Sequence, residues 1–286
     1  MKFSEFIRMA SSDIEFIVVI SILAGLLSYP GHHFSFVVLG SITVAGFLSS
    51  ASATIFNNLY DSGIDSNMKR TQYRTAIIER NRKTFLVSST IMFLLALSIS
   101  FVFDDARSAE FLLFGFLSYV VLYTIILKRR TRWSMVIGGI SASFSILAGW
   151  YAAGNAINAL AVYLVLLVFA WIPFHFWSFA ASHNEDYKSA KIPMLPAVVG
   201  LRRGSHILLI NAIVLTTIAS IYAWFGGFNS LSWLIAITII ISGFLILVSI
   251  YAAIGEKLET KFSWVYIFSH IYISLALISA ILGSFL

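Results

Sequence analysis

The 286-residue chain contains no cysteine, which excludes disulfides, thiolate metal sites and a cysteine nucleophile. Charge is scarce as well. Asp, Glu, Lys and Arg make up 11 % of residues against 59 % hydrophobic ones, with a mean hydropathy of +0.90. That balance excludes a soluble domain and implies an integral membrane protein. No linker or low-complexity segment interrupts the chain, so a single domain over 1–286 is expected.

What is present is a series of apolar runs. Crossing the hydrocarbon takes about 20 apolar residues, and runs near that length occur at 14–29, 35–56, 84–103, 109–127, 133–153, 159–182, 206–226, 231–254 and 262–284. The expectation is an all-α membrane protein with nine transmembrane helices. The first run is short enough for a signal peptide, but no small-residue cleavage site follows it, and Tyr29, Pro30 and Gly31 read as a turn. Lys and Arg favour cytoplasmic loops, and every basic residue except Arg107 falls on one side of this topology. A multi-pass protein of the cell membrane is expected, with its N-terminus cytoplasmic and its C-terminus external. The net charge of +6 and pI near 9.5 follow from that topology and call for no nucleic-acid partner.

The stretch that carries chemistry is NNLYDSGIDSNMKRT, Asn57 to Thr71. If the helix entering it continues, Asn58, Asp61 and Asp65 fall within about 60° around the axis, with the two carboxylates roughly 6 Å apart along it. Both cannot comfortably stay ionised in a low-dielectric cleft without a cation. Magnesium would resolve the conflict, because it takes one or two carboxylates and fills its shell with water and substrate phosphate oxygens. Asn57, Lys69, Arg70 and Arg74, which flank the pair, are diphosphate-binding candidates. The alternative is a polar loop that simply carries charge, and the added amides and basic run speak against it.

A second acidic cluster, His183, Glu185 and Asp186, ends the run at 159–182 on the same expected side. On one continuous helix Trp171, His175, Ser182 and Asp186 share about 60° of arc, although Pro173 is expected to bend the axis. His175 would lie roughly 16 Å deeper than Asp186, where an ionisable side chain is a functional candidate. A neutral histidine bonded to a neighbouring helix is the other reading. Trp171, Phe174, Phe176, Trp177 and Phe179 fit core packing one by one, and a flat apolar ligand only as a stripe. Lys128, Arg129, Arg130 and Arg132 fit headgroup anchoring or phosphate binding, and Lys128, nearest the helix, is best placed to reach inward. Gly138, Gly139 and Gly149 allow close approach by another helix or by a ligand.

Taken together, these blocks resemble the UbiA-type intramembrane prenyltransferases, and within them the protohaem IX farnesyltransferase branch. The N-x-x-D-x-x-x-D pattern at Asn58, Asp61 and Asp65 is shared by the superfamily. M-x-R-T-x-x-R at Met68 to Arg74 and Y-T-x-x-L-K-R at Tyr123 to Arg129 are typical of the branch. The IGG and GW pairs between Ile137 and Trp150, and W-x-P-x-H-F-W with D-Y-x-x-A-x-I-P-M-L-P between Trp171 and Pro196, strengthen the likeness. The chain departs from the pattern at Gly63, Thr75, Ser145, Ile146 and Phe174. The resemblance implies a helix bundle around a central cavity open to the cytoplasmic side. It further implies Mg²⁺ held by Asn58, Asp61, Asp65 and Asp186, the three carboxylates being catalytic. Arg70, Arg74 and Lys128 would neutralise diphosphate, and Trp171, His175 and Trp177 would bind the acceptor. The implied reaction moves a farnesyl group from farnesyl diphosphate to a vinyl group of haem b and gives haem O for a downstream haem-using oxidase. A related enzyme acting on a quinone precursor or lipid alcohol is the first alternative; a transporter or channel is the alternative from another class.

Overall fold

The computed structural model describes residues 3–10, 13–31, 35–154, 156–225, 257–284 and parts of 240–251. All regular structure among them is helical. Helices α1 (Phe3–Ala10) and α2 (Asp13–Leu27) meet at a bend of 60°. The long helices α3 (Phe36–Asp65) and α4 (Gln72–Phe103) lie against each other. Next, α5 (Ala106–Leu117) passes directly into a π-helix, Ser118–Leu127. The chain continues through α6 (Ser134–Gly138), α7 (Ile140–Ala153), α8 (Ala159–Ser182), α9 (Asn184–Ser189), α10 (Leu195–Val199), α11 (Leu201–Phe225) and α12 (Leu258–Gly283). Three starts carry the polar caps that orphan amides require. Ser35 Oγ accepts from Val38 N at 3.2 Å, Asp105 Oδ1 from Arg107 N at 2.8 Å, and Asn158 Oδ1 from Ala161 N at 3.0 Å.

Seven helices among the described residues are long and apolar enough to cross a membrane, and the bent α1–α2 pair would make an eighth. The chain is a multi-pass membrane protein. The expected span at 231–254 lies mostly outside the described residues.

Three expectations change. The span expected from 84 begins at Gln72, because the polar stretch before it is itself helical; only Asn81 (φ −128°, ψ 19°) interrupts, its Nδ2 donating to Ile77 O at 3.2 Å. Helix α8 runs on through Pro173 as one element but stops at Ser182. His183, at φ −121° and ψ 36°, ends it and α9 starts afresh. Asp186 therefore does not share a helix face with Trp171, His175 and Ser182.

Between helices in lipid, association rests on close packing more than on the hydrophobic effect. The α2–α7 contact shows this most sharply. A Cβ on Gly149 would stand 1.9 Å from Ile22 O, and one on Gly25 2.1 Å from Ile146 O, so the two backbones touch where only glycine fits. The cavity that matters for function is lined from α2, α3, α4, α5, the π-helix, α6, α7, α8, α9 and α12.

Candidate active site

The cavity has a volume of about 430 Å³. Its polar end is built by the last turns of α3, which continues through the motif and brings Asn57, Asn58, Asp61 and Asp65 to the wall together, all four buried. Toward the other end the lining becomes small or apolar, with Gly46, Ala53, Phe111, Leu112 and Phe116.

Each of the four polar residues has a distinct set of partners. Asp61 is ion-paired through Oδ2 with the Lys128 ammonium, accepts from Asn57 Nδ2 at 3.2 Å, and takes Arg129 Nη2 on Oδ1 at 3.2 Å. Asn58 Oδ1 accepts from Arg74 Nη1 at 2.8 Å while its Nδ2 donates to Met9 O at 3.0 Å. Asn57 Nδ2 also reaches Thr124 Oγ1 at 2.9 Å, and Thr124 Oγ1 donates to Tyr119 O at 2.8 Å. Asp65 differs from the rest: its Oδ2 is buried and has no hydrogen-bond partner. A buried acceptor left unpaired is costly, and a carboxylate oxygen is the donor type a hard cation takes. Asp61, already surrounded by positive charge, and Asp65, awaiting it, together fit a magnesium ion. No three His, Cys, Asp or Glu side chains among the described residues converge to hold a metal by themselves; water and substrate phosphate oxygens would complete the shell.

Lys128 reaches this site because of the π-helix. In a regular α-helix, at about 100° per residue, nine residues would set Lys128 roughly opposite Tyr119. The wider π winding, with its i→i+5 bonds, takes roughly 4.4 residues per turn, so nine residues make about two turns and return Lys128 to Tyr119's face. The bond from Lys128 N to Tyr123 O, 2.8 Å, is of that register. Tyr119, Tyr123 and Lys128 consequently line the cavity together. Burial, the largest single effect, pushes the Lys128 ammonium down, but its surroundings, with the Asp61 carboxylate foremost among the groups that raise it, hold it above the ordinary lysine range.

The second cluster arrives differently. Asp186 Oδ1 accepts from Lys69 N at 3.2 Å and Ser189 Oγ donates to Asn67 O at 2.8 Å, so α9 is tied to the turn between α3 and α4. That contact brings Asp186 near the α3 motif, although it is Tyr187, its neighbour, that lines the cavity. Lys69 is exposed and outside the lining. Arg70 lies over the Phe179 ring at 4.9 Å, and both face the cavity, as does Arg74.

On α8, His175 lines the cavity, is stacked on Trp171 at 4.4 Å between centroids, and holds Ser269 of α12 through Nδ1 at 2.7 Å. It is bonded to a neighbouring helix and faces the cavity at once. Trp171 and Trp177, expected at an acceptor, lie elsewhere. They are 1 % and 3 % exposed within the core and absent from the lining; Trp171 Nε1 donates to Ser269 O at 2.8 Å, and Trp177 meets Trp133 edge-on. The residues of α8 that do face the cavity are Ile172, His175, Phe176 and Phe179. Of the five departures from the branch pattern, only Ser145 lines the cavity; Ile146 and Phe174 are fully buried in the core.

Sequence reasoning missed Arg129 at Asp61, Thr124 at Asn57, and the tyrosines 119, 187 and 266 in the lining. The signal for Tyr119 was its spacing from Lys128, readable only with a π period, whereas Thr124 stands at the ordinary i,i+4 spacing from Lys128.

Comparison with known proteins agrees with this architecture. Residues 18–281 match the UbiA prenyltransferase family. A protohaem IX farnesyltransferase 2 from Picrophilus torridus is 40 % identical over 213 residues, 74 % of each chain. A protohaem IX farnesyltransferase from Saccharolobus islandicus is 30 % identical over 282 residues, 98 % of this chain and 97 % of that one. Among solved structures, a UbiA homologue from Archaeoglobus fulgidus bound to DMAPP and Mg²⁺ superposes with a TM-score of 0.75 at 14 % identity, covering 96 % of this chain and 99 % of the other. A match that runs through nearly every helix described above, with full-length relatives at that identity, means that this chain belongs to the UbiA prenyltransferase family.

Proposed function

We propose that the chain transfers a farnesyl group from farnesyl diphosphate to a vinyl group of haem b, giving haem O once water adds to the resulting cation. The donor half rests on the polar end of the cavity, where Asp61 and Asp65, whose Oδ2 has no hydrogen-bond partner, line the wall with Arg70, Arg74 and Lys128. The acceptor half is supported by the two relatives named for protohaem IX farnesyl transfer and by the branch motifs. In this reading nine helices enclose the cavity, its polar end opens to the cytoplasm, and the product passes to a haem-using oxidase.

Asp61 and Asp65 would hold magnesium, with Asn58 and Asp186 as outer members of the set, and the bound ion supplies Lewis-acid stabilisation of the departing diphosphate. The chain's own cations do the rest of the charge work. Lys128 and Arg74, now on Asp61 and Asn58, are within a side-chain rotation of a phosphate held beside Asp65, and Arg70 covers the same end over Phe179. A guanidinium binds phosphate in a fork and an ammonium as a point charge, so the three together match a diphosphate's several oxygens. The apolar walls around Ala53, Leu112 and Phe116 keep bulk water from the allylic cation, and the vinyl group supplies the electron pair that captures it.

Haems extracted from a host expressing the chain test this reading. Mass spectrometry should reveal haem b carrying one farnesyl group plus the elements of water; haem b left unmodified with farnesyl diphosphate and Mg²⁺ in excess would refute it. The orientation is checked separately. A reporter fused after Arg132 or Arg203 should read cytoplasmic, and one near Asp105 or Leu286 external. An external signal after Arg203 would put Asp186 across the bilayer from Asp61 and end the two-cluster site.

A further inference from the structure

One buried carboxylate takes no part in the site described above. Glu15, in the first turn of α2, is 4 % exposed and its Oε1 accepts from Thr54 Oγ1 at 2.5 Å. Thr54 lines the cavity, as do Ile14 and Val18 on either side of Glu15 along α2. The carboxylate thus stands directly behind a hydroxyl that faces the substrate space. On α3, Thr54 precedes Asp61 by seven residues and Asp65 by eleven, which sets it on nearly the same face, roughly 10 Å along the axis from the first and roughly 16 Å from the second. An interval of that length would accommodate, in sequence, a phosphate group, the allylic carbon bonded to it and the vinyl group that attacks.

The hydrogen bond between α2 and α3 does not itself require a charge. A glutamine would make the same hydrogen bond to Thr54 without the desolvation that an acid suffers inside a membrane bundle. A carboxylate, unlike an amide, can take the proton of a hydroxyl bonded to it.

We propose that Glu15, through the hydroxyl of Thr54, accepts the proton released when water adds to the prenylated vinyl group. This rests on the reaction given under Proposed function. When the vinyl electron pair bonds to the allylic carbon, positive charge passes to the vinyl carbon next to the macrocycle. Water donates an oxygen lone pair to that carbon and a C–O bond forms. One proton of the water passes to Thr54 Oγ1 as the proton of Thr54 passes to Glu15 Oε1, leaving an alcohol, an unchanged threonine and a protonated glutamate. Without an acceptor there, the cation is quenched by losing a neighbouring C–H proton, and the product is an alkene.

The measurement is the ratio of alcohol to alkene among farnesylated haems made by the purified full-length protein from haem b, farnesyl diphosphate and Mg²⁺. General-base removal costs about 10²–10⁴-fold, so Glu15→Gln and Thr54→Val should each lower the ratio by at least about 100-fold, while Thr54→Ser stays within a few-fold of the parent. The ratio does not depend on how much protein is active, so a clamp role would leave it unmoved. A parental ratio in Glu15→Gln overturns the proposal. If Glu15→Gln does not fold, the Thr54→Val and Thr54→Ser pair decides, and equal ratios in those two overturn it. A wild-type protein that attaches no farnesyl group to haem b overturns the reaction itself, and this proposal with it.

Discussion

Asp65→Asn eliminates prenyl transfer, with a fall of at least about 10³-fold, the several kcal/mol that a metal's charge stabilisation supplies to a transition state. The substitution keeps the side chain's size and removes only the charge. Because Asp65 Oδ2 has no hydrogen-bond partner and an amide oxygen can still accept from Thr71, the variant should melt and insert like the parent, or slightly better, as a neutral amide is less costly to bury. The second readout is metal binding without turnover: calorimetry with Mg²⁺ and a non-hydrolysable prenyl diphosphate should give heat with the parent and none with Asp65→Asn. Wild-type turnover in the variant, or in the parent with excess chelator, defeats the assignment. Asp61→Asn is a less clean test, since it also leaves Lys128 and Arg129 without their carboxylate.

Lys128→Met should lower kcat/KM by about 10²–10³-fold, the cost of losing one preorganised charge from a developing anion. Methionine keeps most of the aliphatic stem and none of the charge, so the volume is kept while the ammonium's contacts with Asp61 and over the Tyr123 ring are lost. Part of the loss falls on KM for farnesyl diphosphate, because the ammonium meets the ground-state anion too; the remainder falls on kcat. Lys128→Arg should recover only part of the activity, because a planar fork does not fit where a compact ammonium sits beside Asp61. Parental steady-state kinetics in Lys128→Met would return Lys128 to the role of a headgroup anchor.

Legibility in the sequence followed the period of the pattern. The α3 motif was readable because Asn58, Asp61 and Asp65 repeat at α-helical spacing, and the helix does run through them. The facing of α8 was not readable. That helix is apolar all round, so nothing in the sequence separates Trp171 and Trp177, which turn into the core, from Phe176 and Phe179, which line the cavity. The end of α8 at Ser182 hid behind helix-compatible residues, and only the backbone of His183 reveals it. The start of α4 was obscured by treating hydropathy as the mark of a helix, when Gln72 to Lys83 is polar and helical. Lys128 was correctly singled out as the member of its basic run that reaches inward, but for its place in the run. The physical cause is the π winding that precedes it, which no α or β period announces.

The seam between α2 and α7 also governs traffic. Where Gly25 and Gly149 bring the two backbones together, even one methyl group would collide with carbonyl oxygens of the opposite helix. A lipid tail or an isoprenoid is at least as wide as one methyl group, so neither can slip sideways between these helices while they stay in contact. Any chain drawn from the bilayer has to be threaded through a different gap in the bundle, and α2 and α7 act as a fixed doorpost past which it slides.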